Sequence, residues 1–161
     1  MSATKFQKLI TNPFTFRLYL LQKLPMGLIA GLKVTELNNE RSVVTVKYKW
    51  MTQNPFKSMY FACQSMAAEM STGAMVMNGI YNSDPPVSML IVKNTANYHK
   101  KAVGKITFVC NDGKLIAEHI KRAQTTGESV SVDTTSVGKN EAGEVVSDFT
   151  FTWSVKVKAK K

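Results

Sequence analysis

Apolar and polar positions alternate in several stretches of the chain. Over residues 41–50, Val44, Val46, Tyr48 and Trp50 point one way and Thr45, Lys47 and Lys49 the other, the period of a half-buried strand. Residues 87–98 read as a longer strand, apolar first and polar later. Residues 105–110 read as another, with Ile106, Phe108 and Cys110 on one face. Residues 129–137 and 144–158 form a hairpin across a Gly/Asn-containing loop, and in its second arm Phe149, Phe151, Trp153, Val155 and Val157 share a face. Residues 31–37 add a first strand, followed by an Asn38-Asn39-Glu40 turn.

Three other stretches keep a helical period. Residues 1–30 form an N-terminal helical segment with Phe14, Leu18 and Leu21 on one face, ended by Pro25-Met26-Gly27. It is read as packing on its own domain, with a membrane surface as the alternative. Asp112 stands where it can cap a short helix over residues 115–124, with Leu115, Ile116, Ile120 and Ala123 inward. Between these, residues 54–79 read as one long helix. Pro55 suits a first turn, Ala and Met fill the body, and Gly79 is a natural stop. Its apolar residues fall on more than one face, so it is buried. Its one charge between Ser58 and Gly79 is Glu69, with Ser65 a turn before and Gly73 a turn after. A buried carboxylate must be paired, hydrogen-bonded or protonated, which makes Glu69 a functional candidate. A glutamate at the solvent edge of a core helix is the bland alternative.

One helix apolar all round, among about six amphipathic strands, predicts an α+β fold in which a curved antiparallel sheet wraps around a long central helix. Such a sheet has open edges, and two-fold pairing of edges predicts a homodimer. The 161 residues suit a single domain spanning 1–161 with a sizeable core. Cys63 and Cys110 lie far apart and read as reduced, buried thiols of a cytoplasmic protein. His99 and His119 cannot build a metal site, and no cofactor is expected. The apolar stretch 14–32 is broken by Arg17, Lys23 and Pro25, which argues against a membrane span, and no signal peptide is visible. The formal net charge of +10 is compatible with nucleic acid, anionic lipid or a phosphate-bearing cofactor such as coenzyme A. No nucleic-acid-binding motif accompanies the scattered lysines, and a solubilising surface accounts for most of them.

Two local patterns carry a family resemblance. Asn54 is followed fifteen positions later by Glu69, and Tyr98-His99-Lys100-Lys101-Ala102-Val103-Gly104 forms an aromatic, basic, Ala, Gly turn. From Gly31 onward the chain resembles the hotdog-fold acyl-CoA thioesterases of the 4-hydroxybenzoyl-CoA and phenylacetyl-CoA type, and most resembles a divergent, uncharacterised branch of them. In those relatives an Asn, a short turn and His-Gly-Gly precede an acidic residue on the buried helix. Here Tyr60-Phe61-Ala62 stands where His-Gly-Gly would be.

The resemblance implies hydrolysis of an acyl thioester to a free acid and coenzyme A, in a homodimer or tetramer. It implies Glu69 as general base or nucleophile, and Asn54 as the residue orienting substrate or water. The backbone N–H of Phe61 or Ala62 would polarise the thioester carbonyl, Tyr60 would stand at the relatives' His position, and Ser65 would hydrogen-bond to Glu69. His99, Lys100 and Lys101 would hold the coenzyme A phosphates, and the methionines of the central helix would line an acyl tunnel. Each has a structural alternative: a turn or N-cap for Asn54, core packing for Tyr60 and the methionines, a small residue at a helix–sheet contact for Ser65, a solvated turn for the basic residues. Two other functions share the fold: a non-catalytic acyl- or acyl-CoA-binding module, and a dehydratase of hydroxyacyl thioesters. The dehydratase would need a histidine beside an acid in the site, and neither His99 nor His119 sits where that is expected.

Overall fold

Six strands form one antiparallel sheet: β1 (Lys33–Leu37), β2 (Ser42–Lys47), β3 (Val87–Tyr98), β4 (Lys105–Cys110), β5 (Val130–Lys139) and β6 (Val145–Val157). Their order across the sheet is β1-β2-β4-β5-β6-β3. The computed structural model describes residues 3–158, so the ends of the N-terminal segment and of the chain lie outside the described residues. A long helix, α4 (Phe61–Ile80), packs against all six strands, which wrap around it. Phe149, Phe151, Trp153 and Val155 of β6 and Ile106, Phe108 and Cys110 of β4 are buried on the face toward the core, as their alternation predicts. β3 pairs with β6 alone, with a bulge at Val92, so its outer edge is free.

The structure corrects several boundaries. The N-terminal segment is three helices, α1 (Lys5–Thr11), α2 (Pro13–Lys23) and α3 (Pro25–Ala30). Pro13 and Pro25 cause the breaks: each lacks an N–H and forces the residue before it out of helical geometry, with Asn12 at φ −78, ψ 122 and Leu24 at φ −145, ψ 62. Gly31 caps α3 in the left-handed conformation, at φ 78, instead of opening β1.

The helix expected over 54–79 starts at Phe61 and runs to Ile80. Residues 54–60 are held in a turn by the Asn54 side chain, which outcompetes helix formation locally. Gly79 lies inside the helix, where a Cβ would come within 2.6 Å of Ile120 Cδ1. That contact seats α5 (Gly113–Thr126) against α4. Trp50 leaves the inward face of β2 and lies, 78% exposed, in a 3-10 turn over Trp50–Thr52. On α5, Ile116, Ile120 and Ala123 are buried but Leu115 is exposed. Asp112 precedes α5 without capping it; its carboxylate instead accepts the Thr135 N–H at 2.6 Å and the Thr135 hydroxyl at 2.9 Å, tying the helix to β5.

Candidate active site

The start of α4 is built by the Asn54 turn. Asn54 Oδ1 accepts the N–H of Phe56 at 2.9 Å, the N–H of Ser58 at 3.3 Å and the Ser58 hydroxyl at 3.2 Å. Two backbone bonds then fix the entry. Met59 N–H donates to Ala102 at 2.8 Å, and Tyr60 N–H donates to Thr52 at 2.7 Å. Tyr60 is the N-cap residue, and its side chain makes no capping bond. Cys63 and Gln64 N–H groups reach back to the Tyr60 carbonyl. The N–H groups of Phe61 and Ala62 find no partner among the described residues. Two orphan donors at the positive end of a 20-residue helix make a site for negative charge.

Phe61 also lines a cleft of about 580 Å³, together with the Asn54 turn, Tyr60, Gln64 and residues 98–102; Ala62, the other donor, is not part of its lining. Tyr60, Phe61, Tyr98 and Phe149 form a run of edge-to-face rings beside it. Asn54, Tyr60, Phe61, His99, Lys100 and Lys101, chosen from sequence, therefore come together. Within the basic turn, His99 pairs with Asp148 and Lys100 with Glu144, and both carboxylates are held below their ordinary range by those hydrogen bonds. Lys101 donates to the Phe56 carbonyl at 3.3 Å and has no carboxylate partner among the described residues.

Glu69 lies elsewhere. Eight residues at a rise of 1.5 Å put it about 12 Å along the axis from Phe61. It accepts no hydrogen bond at its carboxylate among the described residues, and burial pushes its pKa up to about 7. Gly73 gives it room: a Cβ there would sit 3.0 Å from Glu69 Oε1 and 3.1 Å from the Trp153 ring. Trp153 is anchored by its indole N–H, donated to Thr72 Oγ1 at 3.1 Å. Tyr19 of α2 lies near enough to feel the same carboxylate: burial and then the Glu69 charge hold its phenol above the ordinary value. Ser65 is half-buried and makes no hydrogen bond with Glu69. Cys63 and Cys110 are buried, and burial pushes Cys110 up to about 12, so neither is a nucleophile at neutral pH.

Sequence reasoning missed Phe56 and Gln64 in the cleft and Tyr19, Thr72 and Trp153 around Glu69. Trp153 was legible as an inward residue of β6, and Gly73 as the residue one turn beyond Glu69. Nothing in the sequence marks Tyr19, because only tertiary packing brings it within reach of the Glu69 charge.

Residues 14–155 match the model of a family described as "Domain of unknown function (DUF4442)". No curated protein matches the chain. Among solved structures, a Pseudomonas aeruginosa protein of unknown function, described as a probable thioesterase, superposes with a TM-score of 0.77 at 17% identity, covering 93% of this chain and 99% of its own. A Chlorobaculum tepidum protein of unknown function gives 0.76 at 13% identity, covering 92% and 99%. A thioesterase from Haemophilus influenzae gives 0.67 at 12% identity, covering 92% and 93%. At these identities the likeness shows the fold, the hotdog architecture of thioesterase-like proteins.

Proposed function

The chain belongs to the DUF4442 family, and from that footing we propose that it hydrolyses an acyl thioester, with acyl-coenzyme A as the substrate class. The observation that carries this reading is Glu69: a lone carboxylate on the buried helix, without a hydrogen bond among the described residues, with a pKa of about 7. Such a group is half ionised at neutral pH and suited to take a proton from water.

The thioester carbonyl oxygen accepts from the free N–H groups at Phe61 and Ala62 as it gains charge. Water, losing its proton to Glu69, attacks the carbonyl carbon; the C–S bond then breaks and the thiolate of coenzyme A leaves. Direct attack by the Glu69 carboxylate, followed by hydrolysis of the anhydride, uses the same parts. Within one chain these parts are about 12 Å apart, too far to act on one carbonyl. The site therefore needs two copies, with Glu69 of one protomer facing the α4 start of the other. The free edge of β3, where Leu90 and Val92 are exposed, supports such a homodimer. Lys101, without a carboxylate partner among the described residues, is a cation available to a coenzyme A phosphate. Two unpaired thiols fit a reducing compartment, so the cytoplasm is the proposed location.

A non-catalytic acyl-binding module is the second reading, favoured by the bulk of Tyr60 and Phe61 where the relatives have His-Gly. One experiment separates the two: thiol release from a panel of acyl-CoAs by the parent and by Glu69→Gln. Hydrolysis of at least one substrate by the parent, with kcat about 100-fold lower in the variant, is the expected outcome. Acyl-CoA binding by calorimetry without turnover of any panel member would establish the binding module instead.

A further inference from the structure

Helix α2 is apolar on two opposite faces. Phe16 and Leu20 are buried against the body of the protein, while Phe14, Leu18 and Leu21 are 72%, 46% and 60% exposed. At the helical turn angle these three fall within about 60° of one another, roughly opposite Phe16 and Leu20. Met26 and Ile29, three residues apart on α3, are exposed as well. α3 touches both α2 and the 3-10 turn, where Trp50 and Met51 are exposed. Exposed apolar residues on three neighbouring elements mark a surface that something covers.

Charge selects the cover. The first thirty-five residues contain Lys5, Lys8, Arg17, Lys23 and Lys33 and no acidic residue. A second copy of this face would bring like charges together, whereas an anionic phospholipid surface neutralises them. Arg17 and Lys33 also line a cavity of about 270 Å³ with Ile10, Phe16, Leu32 and Val34 among its walls, which sets cations beside an apolar slot. Exposed Trp and Phe next to basic residues are the composition of a surface that beds into lipid headgroups.

From these features we infer that the outer face of α2 and α3 docks on the anionic phospholipid surface of a bilayer. Among the described residues no helix is long and apolar enough to cross a membrane, so the segment lies in the interface plane. The docked face is one element away from the cleft, because the 3-10 turn bonds to Tyr60 through the Thr52 carbonyl. The inference does not depend on thioester hydrolysis, and its test does not read activity.

The test is co-sedimentation of the purified full chain with vesicles of phosphatidylcholine alone, or with about 30 mol % phosphatidylserine, at about 0.1 M salt. The parent is expected to partition at least about tenfold more strongly onto the phosphatidylserine vesicles. Leu18→Asn/Leu21→Asn removes apolar contact, and Arg17→Gln/Lys33→Gln removes the two exposed cations of the neighbouring slot. Each pair, at exposed positions that leave the melting curve in place, should lower partitioning by about tenfold or more. Absence of parental binding to phosphatidylserine vesicles, or binding that neither pair alters, overturns the inference. A halved light-scattering mass in the Leu18/Leu21 variant, with no vesicle binding by the parent, would assign the face to a second copy of the chain.

Discussion

Glu69 ionises at a cost, because burial removes water from its carboxylate and no hydrogen bond among the described residues replaces it. Its pKa of about 7 in the fold lies above the ordinary 4.5. Sign follows from that order: the protonated group favours the fold fully below about pH 4.5, and the contribution is lost as pH rises through 7. The parent should therefore lose at most about 3 kcal/mol between pH 4.5 and 8 from this group, a loss absent in Glu69→Gln and readable from denaturant melts at both pH values. If Glu69 is the base, kcat/KM should climb with pH to a plateau above about 8. The proposed oxyanion donor admits an equally local change. Phe61 is the first residue of α4, and Tyr60 before it sits at φ −60, ψ 134, a conformation that proline tolerates in its predecessor. Phe61→Pro deletes one N–H and no intrahelical bond. It should lower kcat by about 100- to 1000-fold beyond Phe61→Ala, which controls for loss of the ring, while the melting temperatures of the two stay close.

At the scale of elements, α4 is located against the sheet by a few buried polar contacts within an apolar core. Ser71 meets Ser136 of β5 at 2.7 Å and Gln64 accepts from Ser147 of β6 at 2.9 Å, so the helix is pinned near its start and at its middle. Next to Ser71, Thr72 accepts the Trp153 indole N–H, and Trp153 in turn walls the space beside Glu69. Thr72→Val keeps the volume and strands that N–H in the core. A stability loss of about 1–3 kcal/mol is expected in a thermal melt, with Thr72→Ser recovering most of it. The Asn54 turn works in the same way just before the helix starts. By satisfying Phe56 and Ser58 it delays the helix until Phe61, which is what leaves the Phe61 and Ala62 N–H groups without a partner among the described residues.

At the scale of the whole molecule, the 12 Å between Phe61 and Glu69 makes the proposed site a property of the assembly. Inactive Phe61→Pro and Glu69→Gln homodimers, unfolded and refolded together, should regain about a quarter of parental activity, because half the dimers are mixed and each holds one intact site. Recovery of none, with mixed dimers demonstrated by mass, would place both groups in a site within one chain. The same assembly would cover the free edge of β3, while α2 and α3 lie by β1 at the other edge of the sheet and stay open to lipid.

The hydrophobic pattern alone determined the strands, the buried central helix and the isolation of Glu69 on it. A period of two or of 3.6 is written in consecutive residues and needs no knowledge of the rest of the fold. The break of the N-terminal segment into three helices and the start of α4 at Phe61 were settled by competition. Side-chain hydrogen bonds and proline geometry there outweighed helix propensities of under about 1 kcal/mol per residue. Which carboxylates pair with His99 and Lys100, which ring walls Glu69, and that Tyr19 of α2 comes near enough to feel its charge were decided by tertiary structure alone. Those partners are separated from the residues they touch by tens of positions, and a sequence pattern is blind at that range because packing, not periodicity, brings them together.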